Sequence, residues 1–390
     1  MTETSLVSLW ANSTSKTFTQ GPVWNKELLS VGGFLARAAY EMEMQDIKAR
    51  WDAASSETRR RLYDRAKHNL QFFAFRESTP SPVVSREMRS AFLDCVAQEH
   101  PLLVLSSAGI RSALDVRIPD PALSTFIRKL PLFPKELVGV YKSTIGALQE
   151  RGMLKDITFE DVLTELRERP LSEEEMVGCL QWWINTSQQN PRGIDDIRRQ
   201  LIGAARLAIG SLDDNGERII PLEGIRTFLN LQTATVPADG LLPSHLLPIS
   251  VSQKFNPGQL QIYLQWKELT VLEWVQYLAD PAVYTQESQF NITESPVWAE
   301  RVLQVLAEYW LVLSEVDRTS IVEPLSELPC IPTSAGVDMP GDSYLSGIGV
   351  FRDLPVVSFP SGVKIKGNLE RVLGDLGVRK HVELDVVYDR

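Results

Sequence analysis

Four histidines (His68, His100, His245, His381) and three cysteines (Cys95, Cys179, Cys330) are the residues of this 390-residue chain best suited to hold a metal or to attack a carbonyl. A zinc site needs such residues at short, recurring spacings, and a thiol nucleophile needs a base beside it. The spacing shows neither pattern. The histidines read as surface or capping residues, and the odd, scattered cysteines read as buried reduced thiols, not as a disulfide framework or a zinc knuckle. Paired acids are equally unpromising. Asp213-Asp214 falls in a turn, and Glu173-Glu174-Glu175 falls in the first turn of a helix, where negative charge suits the helix dipole. The expectation is therefore no enzyme: no catalytic, cofactor-binding or metal-binding residue, and no cofactor.

Three glycine-bearing stretches could cradle a phosphate or present a nucleophile. "SVGGF" (Gly32, Gly33) lacks the third glycine and the Lys-Ser/Thr of a P-loop, so close helix packing is its expected use. "SSAG" (Ser106 to Gly109) lacks the glycine before serine that a nucleophile elbow needs. "DDNGER" (Asp213 to Arg218) approaches the Asp-x-Gly-x-Gly box with which gyrase-, chaperone- and histidine-kinase-type ATPases read adenine. Arg218 stands where the second glycine is required, and no upstream helix offers the Glu/Asn pair for magnesium. ATP is not expected to bind this chain.

Composition agrees with a folded, water-facing protein. The chain is 44% hydrophobic and 23% charged, with a formal net charge of −10. An acidic balance repels phosphate backbones and anionic bilayers, so nucleic acid and membrane are both disfavoured partners. The most apolar stretch, "YWLVL" at Tyr309 to Leu313, is far too short to span a bilayer. Residues 1–23, Ser/Thr-rich and without an apolar run, read as a disordered leader and not a secretory signal, and the expected compartment is the cytoplasm.

The elements that would position a site are mostly helical. Leu28, Leu35, Ala38, Ala39 and Met42 predict a helix over 28–44, and Leu62, Ala66 and Leu70 predict a second over 57–75, with Glu57 paired to Arg61. "STPSP" at 78–82 ends it. Strands are expected at 102–105 and 116–118. Helices follow at 135–149, at 159–167 (capped by Thr158 with Asp161), at 172–184 (Ser172 with Glu175) and at 194–209. Asn215-Gly216 then signals a hairpin. Thr270 caps "VLEWVQYL", and Ser295-Pro296 opens a helix whose stripe is Val302, Val305, Leu306, Tyr309 and Leu313. Trp266, Trp274, Trp298 and Trp310 read as core. "CIPTSAGVDMPGDSYL" reads as strands separated by turns, and Gly377 ends a last helix.

The fold class is thus α+β, mainly helical, with short hairpins, a winged-helix-like middle unit and a β-rich C-terminal lobe. Its expected lobes are 24–133, 134–236 and 255–390. The middle unit carries an alternative function, nucleic-acid binding through Arg198, Arg199 and Arg206. Asp195 and Asp196 at the entrance of that helix oppose it.

"CIPTSAGVDMPGDSYL…VFRDLPVV" resembles a signature of sacsin-like fungal proteins, as do "WNKELLSVGGFLAR", "GIRSALDVRIPD", "YKSTIGALQERGMLKDITFEDVL" and "LTVLEWVQYLADP". The resemblance runs from about Trp24 to Arg390. It implies a region downstream of a chaperone-type ATPase domain, with that domain missing before Trp24. None of that family's catalytic residues falls on a position of this chain. The resemblance implies a non-catalytic protein-interaction or scaffold module with protein partners, or an ATP-binding chaperone-like machine if a longer gene product supplies the ATPase.

Overall fold

The computed structural model describes residues 26–70, 102–189, 194–210, 218–233, 236–284, 289–345 and 354–381. It is mixed α+β and mainly helical, with fourteen helices among the described residues and strands in small sheets. The chain divides into two compact units, Met1–Trp183 with Ala204–Ala208, and Ile184–Gly203 with Ile209–Arg390.

The first unit opens with α1 (Lys26–Trp51) and α2 (Ser56–Asn69). The expected face of α1 is rotated: Met42 is exposed, and Tyr40, Met44 and Ile47 are buried instead. Tyr40 fixes this phase, because its hydroxyl donates to the Leu103 carbonyl at 2.5 Å while its own carbonyl accepts from Asn69. The side chains of Leu28 and Leu35 lie outside the described residues. On α2, Leu62, Ala66 and Leu70 are buried as expected, and Arg61 meets Glu57 at 3.3 Å. Arg65 reaches instead to Glu43 and Asp46 of α1. "STPSP" lies outside the described residues.

"SSAG" is a hairpin turn. It joins β1 (Leu103–Ser106) to β2 (Gly109–Ser112), antiparallel, with Ser106 paired to Gly109. Gly109 has φ +90°, and a Cβ there would stand 2.5 Å from the Trp51 indole nitrogen. Glycine is required for both conformation and space. Next come β3 (Arg117–Ile118), α3 (Lys135–Val138), α4 (Lys142–Glu150) and β4 (Lys155–Asp156), β3 and β4 being parallel. The single helix expected over 135–149 is two, interrupted at Gly139 to Tyr141. α5 (Phe159–Glu168) starts at the Thr158/Asp161 capping box, and α6 (Glu173–Gln189) starts where Ser172 and Glu175 bond each other reciprocally.

Two ion-pair groups tie this unit together. Arg117 forks onto Asp161, donating at 2.9 Å and 3.2 Å. Arg169 bridges Glu165 and Glu175 at 2.8 Å and 2.6 Å. Burial pushes the Asp161 and Glu175 carboxyls up. Bonds from Arg117 and Thr158 to the first, and from Arg169, Ser172 and Arg128 to the second, outweigh it and hold both below the usual carboxylate range. Groups with depressed folded pKa values stabilise fully above their unfolded values, about 4, and that contribution is lost as pH falls through the folded values. The expected result is a urea midpoint for the first unit that is flat from neutral pH to about 5 and falls below about 4. Asp161→Asn should lower the plateau and flatten the acid slope. An unchanged slope would remove this pair from the account.

The helix expected over 194–209 ends early. α7 (Ile194–Ala204) gives way to β5 (Arg206–Ile209), because the Leu171 N–H donates to the Arg206 carbonyl and the Ala208 N–H donates to the Leu171 carbonyl, each at 2.8 Å. These bonds override the helical propensity of "GAARLA". Of the apolar residues that recur at helical spacing over 194–209, Ile197 is exposed, while Leu201, Ala204, Ala205 and Ala208 are buried. Asn215-Gly216 lies outside the described residues.

The second unit continues with β6 (Arg218–Pro221), β7 (Thr227–Phe228) and β8 (Leu246–Leu247). Then follow α8 (Ile249–Ser252), α9 (Pro257–Leu264), β9 (Lys267–Glu268), α10 (Val271–Leu278) and α11 (Pro281–Tyr284). β7 lies between β8 and β9 in a parallel three-stranded sheet. α12 (Pro296–Tyr309) begins at the Ser295 cap with Pro296 in its first turn, and α13 (Glu315–Ser326) follows. All four tryptophans of this region are buried, as expected of core. "CIPTSAGVDM" forms the antiparallel pair β10 (Ile331–Thr333) and β11 (Gly336–Asp338), with Gly336 at φ +140°. "MPGD" is a 3-10 turn, and Tyr344 and Thr333 bridge to Val356 and Val357 in place of a third regular strand. α14 (Asn368–Asp375) ends at Gly377, φ +102°. α12 packs on α14 and β10, and α10 on α13.

Candidate functional site

The residues singled out for chemistry do not converge. His68 and His381 are exposed, His245 is half-buried, and His100 lies outside the described residues. Cys179 and Cys330 are buried and unpaired, with burial pushing each thiol up to about 12, which leaves no thiolate at neutral pH. Cys95 lies outside the described residues, as do Asp213 to Glu217 of the "DDNGER" stretch. Among the described residues, no group of three or more His, Cys, Asp or Glu is placed to hold a metal ion. Glu173 and Glu174 sit in the first turn of α6. Glu175 belongs to the Arg169 network, and Gly32 and Gly33 lie inside α1.

The arginines of the nucleic-acid alternative are engaged locally. Arg198 meets Asp195 at 3.1 Å and Arg199 meets Asp196 at 2.5 Å. Arg206 is on β5, not on a helix, and donates to the Arg167 carbonyl at 2.6 Å.

Two concavities among the described residues bear on a site. One, in the first unit, is an apolar void of about 10 Å³ between Val104, Phe133 and Ile145, no larger than a water. The other is an open groove of about 300 Å³ in the second unit. Its walls are the exit of β9 and the start of α10 on one side, and the connection from α12 to α13 on the other. Leu269, Val271, Tyr309, Val312 and Leu313 line it, Leu269 and Val271 being buried, and among the described residues Glu268 is the charged residue that lines it.

Local rules build each wall. Pairing of β7 with β9 places Glu268 beside Phe228, and the Leu269 N–H then donates to the Phe228 carbonyl at 2.8 Å. The Thr270/Glu273 capping box starts α10 directly afterwards. On the other side the "YWLVL" run splits. The Trp310 indole N–H donates to Asp375 at 2.8 Å and the ring is buried, whereas Leu311 and Val312 turn outward and Val312 is 83% exposed. Val316, in the first turn of α13, is exposed as well. Three large apolar side chains within six residues, Leu311, Val312 and Val316, are thus exposed, and Val312 of them lines the groove.

The polar groups of the groove are used internally. Glu268 accepts from Asn230 at 3.2 Å and from the Thr233 hydroxyl at 2.7 Å, and the Tyr309 hydroxyl donates to the Thr233 carbonyl at 3.2 Å. These donors to Glu268 are neutral, so its negative charge is not offset by them. A small polar ligand would find no convergent set of free donors to orient it, as ligand sites usually provide. What the groove offers is apolar area with an acidic edge.

A family model for a protein of unknown function, DUF3684, matches residues 22–390. The chain belongs to the DUF3684 family. No curated protein and no solved structure matches it. Every described residue, and so every residue of the groove, falls within the DUF3684 match. No helix of this DUF3684 chain among the described residues is long and apolar enough to cross a membrane. Sequence reading missed the groove itself. "YWLVL" reads in sequence as too short for a membrane span, with Tyr309, Trp310 and Leu313 as core; a further local signal is the Ser314/Asp317 cap after it, which forms, Ser314 accepting from the Asp317 N–H at 3.1 Å.

Proposed function

We propose that this chain is a non-catalytic protein-interaction or scaffold module, related to the post-ATPase region of sacsin-like chaperone-associated proteins and working in the cytoplasm beside an ATPase supplied elsewhere. The observation that carries the reading is the groove lined by Tyr309, Val312 and Leu313, with Val312 83% exposed and Leu311 and Val316, close to it in the chain, exposed as well. Apolar side chains left in water at a concave site are stabilised by a partner that covers them. Buried, unpaired thiols at Cys179 and Cys330 suit a reducing compartment. Nucleic-acid binding through Arg198, Arg199 and Arg206 draws no support from arginines already matched to Asp195, Asp196 and a carbonyl.

The test compares proteins retained from cytosolic extract by the wild-type chain and by Leu311→Asp/Val312→Asp. Both positions are exposed, so the variant should keep its unfolding midpoint. The expected outcome is a defined set of partners held by the wild type and lost by the variant. Identical profiles, or ATP hydrolysis by the purified chain that Asp214→Ala abolishes, would overturn the proposal.

A further inference from the structure

Resting on the reading of this groove as a docking site, we infer that its occupant is a basic amphipathic helix of a partner polypeptide. Lysines or arginines of that helix would face the acidic edge, and its apolar stripe would lie on Val312 and on the partly exposed Tyr309 and Leu313.

Charge selects the partner. Glu268 sits in the groove with only neutral donors, Asn230 and Thr233, bonded to its oxygens. The stretch that supplies Tyr309, Val312 and Leu313 to the opposite wall, Glu308 to Asp317, carries three acids in sequence (Glu308, Glu315, Asp317) and no base. Two cations lie nearby. Arg318 donates to the Leu311 carbonyl at 3.4 Å, and Lys267 precedes Glu268. They leave the lip with an acidic excess. An incoming acidic segment would meet uncompensated like charge, whereas a basic one gains attraction at the rim and buries the same apolar area. A second copy of this chain brings the same acidic lip to the contact and a net charge of −10 with it, so self-association through this face is opposed.

Shape selects the conformation. β9 is the outer strand of its sheet, but it is two residues long, Lys267–Glu268. Strand addition draws its affinity from a row of backbone bonds, and two residues supply too few. Affinity must then come from side chains inserted between the start of α10 and the α12–α13 connection, which is how an apolar helix face docks in a groove.

The test uses the full chain and two labelled peptides of roughly 15 residues, each with leucines at i, i+3, i+4 and i+7. One carries lysines on its flanks and the other glutamates. By fluorescence anisotropy at low salt, the lysine peptide should bind at least about tenfold more tightly than the glutamate peptide, and the gap should narrow as salt screens it. Glu268→Gln should shrink the gap, and Val312→Asp should abolish binding of the lysine peptide. Equal or tighter binding of the glutamate peptide, lost on Val312→Asp, would overturn the basic partner while leaving the docking site standing. No binding of either peptide, or binding indifferent to Val312→Asp, would remove both. A dimer in light scattering that Val312→Asp dissociates would name a second copy as the occupant and overturn the inference.

Discussion

Replacing Glu165 with leucine is expected to cost the first unit about 3–5 kcal/mol, a large fraction of a typical domain's stability. The carboxylate is almost fully buried, and it accepts from three successive backbone N–H groups: Arg128 at 3.0 Å, Lys129 at 3.0 Å and Leu130 at 3.3 Å. Arg169 adds a fourth donor at 2.8 Å. Leucine removes the acceptor and leaves buried donors unbonded at about 1–3 kcal/mol each, partly relieved where the loop can move toward water. Arg169 keeps Glu175, so the arginine is not orphaned. Glu165→Gln should cost less, about 2 kcal/mol, since one amide oxygen still accepts while the amide nitrogen faces a donor. Urea denaturation measures the loss, and amide exchange at residues 128–130 localises it. A shift under about 1 kcal/mol for the leucine variant, with those amides still protected, would show that the segment holds itself in place.

Glu165 also marks where sequence reading stops. Its backbone donors lie 35–37 residues earlier in the chain, and no local pattern in "EDVLTELRERP" announces them. Features that depend on three or four neighbouring residues were legible: the Thr158/Asp161 and Thr270/Glu273 capping boxes, the Ser295-Pro296 opening of α12, the Glu57–Arg61 pair and Gly377 at the end of α14. Features decided across the chain were not. Arg206 to Ile209 carries helical spacing, but its backbone is claimed by Leu171. Met42 and Met44 are equally plausible core residues by composition; the bond from Tyr40 to Leu103 decides between them.

The groove shows the same division. One wall begins at a cap that the sequence announces, Thr270 for α10. The outward turn of Leu311 and Val312 depends on Trp310 being held inward by Asp375, 65 residues later. Four consecutive apolar residues state that something is buried there, without stating which of them. Hydrophobic pattern alone assigns faces only where a periodic element is long enough to set a phase, and a helix-to-helix connection is not.

Trp274→Ala is expected to have the largest effect in the second unit, about 4 kcal/mol. The indole is fully buried, its N–H donates to the Leu241 carbonyl at 3.0 Å, and its edge meets Trp298 at 6.0 Å and 90°. Trp298 in turn meets Phe290 at 5.1 Å. Alanine leaves a cavity among rigid rings that have little freedom to collapse, and it strands the Leu241 carbonyl. Trp274→Phe refills part of the volume and should cost about half as much, the residue being the lost bond and the smaller ring. Gly240→Ala probes the opposite error at the same cluster: its Cβ would stand 2.2 Å from the Trp298 ring, and overpacking there should cost about 1–3 kcal/mol. These losses reach the groove without touching it. Val271, on its wall, lies one turn before Trp274 on α10, so loosening the tryptophan loosens the wall. Trp274→Ala should therefore raise amide exchange across residues 271–278 and weaken the lysine peptide, although Trp274 does not line the groove. Unchanged exchange in α10 with peptide affinity intact would mean that the wall is held by its Thr270 cap and by the Leu269 bond to Phe228, and not by the aromatic cluster behind it.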